Sequence, residues 1–361
     1  MRIFVRECRS LAEAGYEVHL VIATPTAGIK DGIHLQPIPR YSSRGWRMLI
    51  GPWIALRAAL KTKAQLYHYH DPELIGMGFI LRWFMGKKVV FDIHECVHRQ
   101  IRSKPYLPQW ASWLVAGCYR LLEKILTVGQ IKIVANEHSV QDYRNPTLVQ
   151  NFPRLTRGIV PTKERFNKGS VPSLVYVGNV AEIRGALVYV ELARRLLEQG
   201  QRFTMTLMGE HTSEFDTELR QKIGTYGLDD CVTVTGRQDW YRAMELVSKA
   251  TIGLCLLLPV PNYTTCLATK IIEYMMLGTP VLASNFDCWR PFVEGEKVGM
   301  MANPLDLDDV YTACKKMLDD RESLTEMSER GRQAVAQRYH WEQEFKKLQT
   351  CYARVLDSDQ Q

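Results

Sequence analysis

The chain reads as an α/β protein built from two parallel-sheet domains. Three observations carry this reading. Short apolar runs rich in β-branched residues alternate with helical patterns along nearly the whole chain. The 361 residues are enough for two separate cores. A stretch rich in Pro, Gly and charge, from Asn151-Phe152-Pro153 to Ser170-Val171-Pro172, divides two sets of such runs and marks the hinge.

In the first half the strand-like runs are Glu17 to Ala23, Gln65 to His70, Val89 to His94 and Ile131 to Ala135, with a helical pattern from Trp113 to Leu126. In the second half they are Leu174 to Val177, Phe203 to Met208, Val232 to Val234, Ile252 to Leu257 and Pro280 to Ala283. The chain opens directly on a helical pattern, with Ile3, Phe4, Cys8, Leu11 and Ala12 on one face. A doubly wound sheet keeps its first strand central, followed by a glycine loop that approaches the ligand. The expectation is therefore that this strand and loop are absent from the sequence, or that the start lies upstream.

Composition narrows the function classes. At 46% hydrophobic and 24% charged residues the chain is an ordinary globular protein. No apolar run approaches the roughly 18 residues of a membrane span, and the opening residues lack the apolar core of a signal peptide. The nine cysteines are scattered without a CxxC pair and read as small core residues in a reducing cytoplasm rather than as a metal site. The net charge of +7 is uneven: residues 1–160 hold 22 Lys/Arg against 11 Asp/Glu, which leaves −4 on the remainder. One half thus suits an anionic partner. Nucleic acid is disfavoured because no reading motif accompanies the basic residues.

In an open α/β sheet, ligands bind beyond the carboxyl ends of strands, where helix N-termini present free N–H groups. Two such places in the second half carry charge. One is Val177-Gly178-Asn179 through Arg184-Gly185; the other is Thr269-Lys270-Ile271-Ile272-Glu273, which runs on to Gly278-Thr279-Pro280 and a final strand. Arg184 and Lys270 suit a diphosphate, and Glu273 suits a ribose diol. A Lys/Glu pair at i,i+3 alone is an ion pair worth ~0.2–0.5 kcal/mol. Its coincidence with an Arg-Gly at another strand end of one domain is what points to a nucleotide. The internal Asp-x-Asp, Asp306-Leu307-Asp308, reads as helix capping.

These residues carry a family resemblance. Arg2-Ile3-Phe4-Val5-Arg6-Glu7-Cys8, Phe91-Asp92-Ile93-His94-Glu95, Tyr176-Val177-Gly178, Arg184-Gly185, Thr269 to Met275, Gly278-Thr279-Pro280-Val281 and Tyr339-His340-Trp341-Glu342 together resemble family 4 retaining glycosyltransferases of the GT-B fold. The resemblance spans about residues 2 to 356. It implies two Rossmann-like domains facing across a cleft: an acceptor-side domain at 1–155, a nucleotide-sugar domain at 156–340, and a final helix at 341–361 crossing back to the first domain.

The resemblance also implies site residues. Arg184 and Lys270 would hold the donor diphosphate, Glu273 the ribose, and Gly178 would line the donor site. Backbone at Gly236-Arg237 would border the base, and Thr265 occupies the place of a glutamate found near the sugar in the family. His94 would reach towards donor sugar and acceptor, with Asp71 and Glu95 as acceptor-side candidates. The implied activity is transfer of a sugar from a nucleotide diphosphate, UDP by preference, to a glycan or lipid-linked acceptor, with no metal and no cofactor. Basic, tryptophan-bearing stretches at 44–63 and 81–88 suit an anionic membrane surface, hence a cytoplasmic protein peripheral to the inner face of the membrane. Gly51-Pro52 is expected to interrupt the first of them. Two other readings share the fold: a catalytically impaired nucleotide-sugar binder and a UDP-sugar epimerase.

Overall fold

A computed structural model describes residues 2–41, 43–94, 96–102, 108–155, 159, 163–167 and 169–357. Two compact units emerge, one of Met1–Asn151 with Trp341–Gln361, the other Phe152–His340.

In unit 1 the strands are β1 (Val18–Ala23), β2 (Gly28–Lys30), β3 (Ile33–Ile38), β4 (Leu66–Tyr69), β5 (Lys88–Ile93), β6 (Ile131–Val134) and β7 (Thr147–Leu148). They form two sheets, β1-β3-β2 and β4-β5-β6-β7. All pairings are parallel except β2 with β3. That exception is a hairpin whose two turn residues, Asp31 and Gly32, both have positive φ, the conformation an Asp-Gly turn favours. β5 lies between two neighbours, and five of its six residues are buried, which explains its continuous apolar run.

The helices of unit 1 begin with a wider-wound stretch, Arg2–Cys8, continuing into α1 (Arg9–Glu13). After it come α2 (Arg44–Lys61), α3 (Ile75–Phe79), α4 (Val97–Arg102), α5 (Gln109–Leu126) and α6 (Glu137–Val140). The break expected at Gly51-Pro52 does not occur. α2 runs on through Pro52 as one helix, forgoing the hydrogen bond that a proline nitrogen cannot donate.

Unit 2 contains β8 (Ser173–Val177), β9 (Thr204–Met208), β10 (Val232–Thr235), β11 (Ile252–Cys255), β12 (Val281–Ser284) and β13 (Gly299–Ala302). Its helices are α7 (Ala186–Glu198), α8 (Ser213–Thr225), α9 (Trp240–Lys249), α10 (Pro261–Thr264), α11 (Thr269–Met276), α12 (Arg290–Val293), α13 (Leu307–Asp319) and α14 (Arg321–Gln337). One all-parallel sheet runs β10-β9-β8-β11-β12-β13. The chain therefore starts in the middle, works outwards through β9 and β10, then returns to the other side of β8. Its switch point lies between β8 and β11, where a doubly wound sheet opens a crevice for a ligand.

α11 is held at both sequence and packing level. Ile271, Ile272, Tyr274 and Met275 are buried at helical spacing. The helix ends in a Schellman turn: Gly278 has φ 61°, its N–H bonds the Met275 carbonyl at 2.9 Å, and the Thr279 N–H bonds that of Tyr274 at 2.8 Å. Buried Arg165 donates to the exposed-end carbonyls of Leu277 and Gly278, a cation at the negative end of the helix dipole.

The last helix, α15 (Trp341–Asp357), belongs to unit 1. Trp341 is fully buried against a cluster that includes Val90, Ile133 and Leu348, and its indole N–H donates to Ser10 Oγ at 2.8 Å. Trp341→Ala should cost unit 1 about 3–5 kcal/mol, read as a lowered denaturant midpoint; an unchanged midpoint would show that α15 is dispensable to that core.

Candidate functional site

The loop after β8 is built to bring backbone close to side chains. Gly178 sits where a Cβ would lie 3.0 Å from Lys270 Nζ and 3.1 Å from the Tyr176 hydroxyl. A short 3-10 turn, Glu182–Arg184, follows and ends at Gly185, with φ 79°. A Cβ there would sit 1.9 Å from the Leu256 carbonyl oxygen, so the turn that aims Arg184 admits only glycine. α7 begins immediately after.

Arg184 and Lys270 converge on Tyr176, whose ring is wholly buried. The Lys270 ammonium lies 3.8 Å from the centre of that ring. The Arg184 guanidinium is close enough for its charge to act on the Tyr176 hydroxyl, and lies 5.0 Å from the ring of Tyr263. The Tyr176 hydroxyl itself donates to the Asn179 carbonyl at 2.8 Å, tying the loop down. Both cations thus stand at the carboxyl end of β8, beside the switch point.

Lys270 is only 8% exposed, and its Nζ has no hydrogen-bond partner. Burial lowers its pKa to about 8, with the nearby Arg184 charge pushing the same way while Cys255 and Glu273 oppose it. Burial likewise pushes the Cys255 thiol up to about 11. Two helix N-termini add to the positive potential. α8, α9, α13 and α14 are each capped by a Thr or Asp side chain. α7 begins at Gly185 and α11 at Ala268, neither with a side-chain cap. No side chain competes for their first N–H groups, although the Ala186 N–H turns back to the Ala181 carbonyl at 3.3 Å and the Ile271 N–H to that of Ala268 at 3.0 Å.

The other expected residues fall in different places. Glu273, half-buried one turn into α11, is close enough to act on the Lys270 charge. Thr265 sits after α10 and its hydroxyl donates to the Pro261 carbonyl at 2.9 Å. Gly236 and Arg237 follow the edge strand β10, two strands from β8, and Arg237 pairs with Glu210 at 2.9 Å on the surface. Asp306 Oδ1 accepts from the Asp308 and Asp309 N–H groups, so the Asp-x-Asp is a helix cap.

In unit 1, His94 follows β5 and belongs to a buried polar network that the sequence did not announce. Its Nε2 lies 2.9 Å from His70 Nδ1 and 3.4 Å from Asp92 Oδ2, while His70 Nε2 lies 3.4 Å from Glu7 Oε2. Asp92 is fully buried. Burial alone would raise its pKa, but the nearby His68, His70 and His94 rings and the charge of Arg2 hold it well below the usual carboxylate range. Glu7, His70, Asp92 and His94 offer ligand atoms all within 4.8 Å of one another, a spacing open to a metal ion. Arg2, however, already bonds Glu7 at 2.6 Å and Asp92 at 2.9 Å, so a guanidinium supplies the cation those carboxylates need. Asp71 is exposed at the start of a 3-10 turn, where its side chain caps nothing. Glu95 lies outside the described residues.

Comparison with known proteins follows the same division. Residues 2–155 match the family model described as Glycosyltransferase Family 4, and residues 171–320 the one described as Glycosyl transferases group 1. The chain is 27% identical over 177 residues to an alpha-D-kanosaminyltransferase of Streptomyces kanamyceticus, covering 49% of this chain and 44% of that protein. It spans about half the length of the curated relatives it first matches. Sucrose-phosphate synthase from Thermosynechococcus elongatus superposes with a TM-score of 0.77 at 18% identity, over 99% of this chain and 93% of the other. Anabaena HepE in complex with UDP does so with a TM-score of 0.67 at 13% identity, over 89% and 86%.

The buried lysine makes a pH prediction. An anion binds the charged ammonium, so binding favours its protonation. Above pH 7 the phosphates of UDP are fully ionised, since their last pKa is about 6. The UDP dissociation constant should therefore rise as pH passes about 8, approaching tenfold per pH unit, while Lys270→Met binds weakly and without that slope. Calorimetry across pH 7–9.5 checks it; a flat profile for the unsubstituted protein would refute it. With each unit matched by its own glycosyltransferase model and the fold shared over nearly the full length, the chain belongs to the glycosyltransferases of GT-B fold.

Proposed function

We propose that the chain is a retaining glycosyltransferase that moves a sugar from a nucleotide-diphosphate sugar, UDP by preference, to a glycan or lipid-linked acceptor without a metal ion. The observation that carries this is the convergence of Arg184 and an unpartnered, buried Lys270 on one strand end beside two uncapped helices.

Transfer breaks the bond between the anomeric carbon and a diphosphate oxygen, building positive charge on the sugar and negative charge on the leaving group. Arg184, Lys270 and the helix N-termini stabilise that leaving group without reorganising, which is where preorganised donors contribute most. They supply the charge that a metal would otherwise bring. Retention of configuration follows if the acceptor attacks from the leaving-group face and its proton passes to a diphosphate oxygen. Glu273 takes the ribose hydroxyls. His94 serves the acceptor side, its ring orientation fixed by His70 and Asp92. A lipid-linked acceptor at an anionic, cytoplasmic membrane face suits the basic 44–63 and 81–88 stretches, where Trp46, Trp53 and Trp83 are exposed.

UDP at 100 times its dissociation constant should stabilise the protein by about 2.7 kcal/mol, seen as a thermal shift that GDP does not match. Arg184→Ala and Lys270→Ala should each slow UDP release from the donor about 10²–10³-fold. A shift with UDP but no turnover of any UDP-sugar would leave a binding protein, and sugar scrambling without acceptor would point to an epimerase. No shift with any nucleotide would remove the proposal.

A further inference from the structure

α5 is amphipathic the wrong way round for a helix facing water. Its inner side mixes polar groups with core contacts: Ser112 and Glu123 are buried, as is Ala116; Tyr119 and Leu126 pack on the core, and Thr127 and Gln130 just beyond its end are buried too. The Tyr119 and Tyr143 hydroxyls are buried near the Glu123 carboxyl, the Thr127 hydroxyl donates to the Glu123 carbonyl at 2.7 Å, and Gln130 Oε1 accepts from the Tyr69 hydroxyl at 2.8 Å. Its outer side is apolar: Trp110 at 74%, Leu121 at 62%, and likewise Trp113, Leu114, Leu122 and Ile125 are exposed. A soluble helix places these classes oppositely.

The apolar strip continues past the helix. The Trp83 indole N–H donates to the Val128 carbonyl at 3.0 Å and Arg82 Nε donates to that of Gly129 at 2.9 Å, so the 80–84 turn is fastened to the end of α5. This sets Trp83 and Phe84, the latter 77% exposed, beside the strip. A contiguous exposed patch of this kind marks an interaction surface.

We propose that this face of α5, with the 80–84 turn, lies in the interfacial layer of a membrane carrying anionic lipid. Tryptophans stand at both ends of the strip, where the water–lipid boundary favours them. The charge around it has one sign. Arg102 stacks on Trp113 at 3.4 Å, Arg82 and Lys124 flank the strip, and the single carboxylate of α5, Glu123, points inward. Anionic headgroups answer such a rim. A second copy does not, because paired α5 faces bring cations against cations. No described helix is long and apolar enough to cross a bilayer, and α5, about 27 Å long, fits lying in its plane. The inference stands apart from the nucleotide reading, since it uses none of the unit 2 residues.

The full chain should co-sediment with phosphatidylcholine vesicles containing phosphatidylglycerol, and at least tenfold less with phosphatidylcholine alone. Leu121→Gln with Ile125→Gln should lower the bound fraction at least tenfold while leaving the thermal shift with UDP intact, which separates failure here from failure of the donor site. If both substituted residues prove structural and the melt collapses, Trp110→Ser with Phe84→Ser gives the same reading from outside the helix core. Absence of binding to either vesicle overturns the proposal. So does light scattering that shows a dimer which the substitutions dissociate, because the face then belongs to a second copy.

Discussion

A charged amine sealed under a loop with nothing to hydrogen-bond is an unfavourable arrangement, and the architecture of unit 2 is organised around one. Lys270 loses hydration without a carboxylate partner, and Arg184 adds a second cation nearby. The destabilisation is complete below pH 8, where the amine is charged, and is relieved as pH rises past that value. The Tyr176 ring recovers part of it through its negative face. Only an anion recovers the rest, and a diphosphate brings two phosphates to two cations.

The remainder of the unit holds those cations in place. Gly185 can take its left-handed turn only against Leu256, at the end of β11, so the loop after β8 is locked across the switch point of the sheet. On the other side, the Schellman turn at Gly278 and the buried Arg165 fix the far end of α11, which leaves its N-terminus pointing where Lys270 points. The distribution of caps carries the same logic. The longer helices α8, α9, α13 and α14 have Asp or Thr acceptors, while α7 and α11 at the site, like the short α10 and α12, lack them. A side-chain cap there would compete with the ligand for the same N–H groups.

Much of this was legible in the sequence, because parallel strands buried on both faces are continuous apolar runs. β5, β8, β11 and β12 were readable for that reason. β3 was missed because Pro37 and alternating polar residues break its run, although the Asp31-Gly32 pair before it is a hairpin signal in its own right. Arg184 and Lys270 were found from strand-end position alone. Tyr176 and Cys255 beneath Lys270 were not, since which strands neighbour one another is a property of the sheet order. The network around Asp92 escaped for the same cause: His68 and His70 come from β4 and its end, Asp92 and His94 from β5 and its end, and pairing of those strands brings them together. α5 was visible as a helix, but periodicity does not say which side faces inward.

The Asp92 network shows why a fold tolerates so many buried charges near one strand end. A buried carboxylate is costly unless it is paired, and Asp92 Oδ2 is approached by Arg2, His70 and His94, with His68 further off at 3.7 Å, while Oδ1 has no hydrogen-bond partner. The 2.9 Å contact between His70 Nδ1 and His94 Nε2 requires one donor and one acceptor. The contact fixes the two rings against each other, and the proton it uses sets the tautomer of His94. A histidine whose ring is held in this way is an oriented group rather than a mobile one, which is what the acceptor-side role proposed for His94 requires.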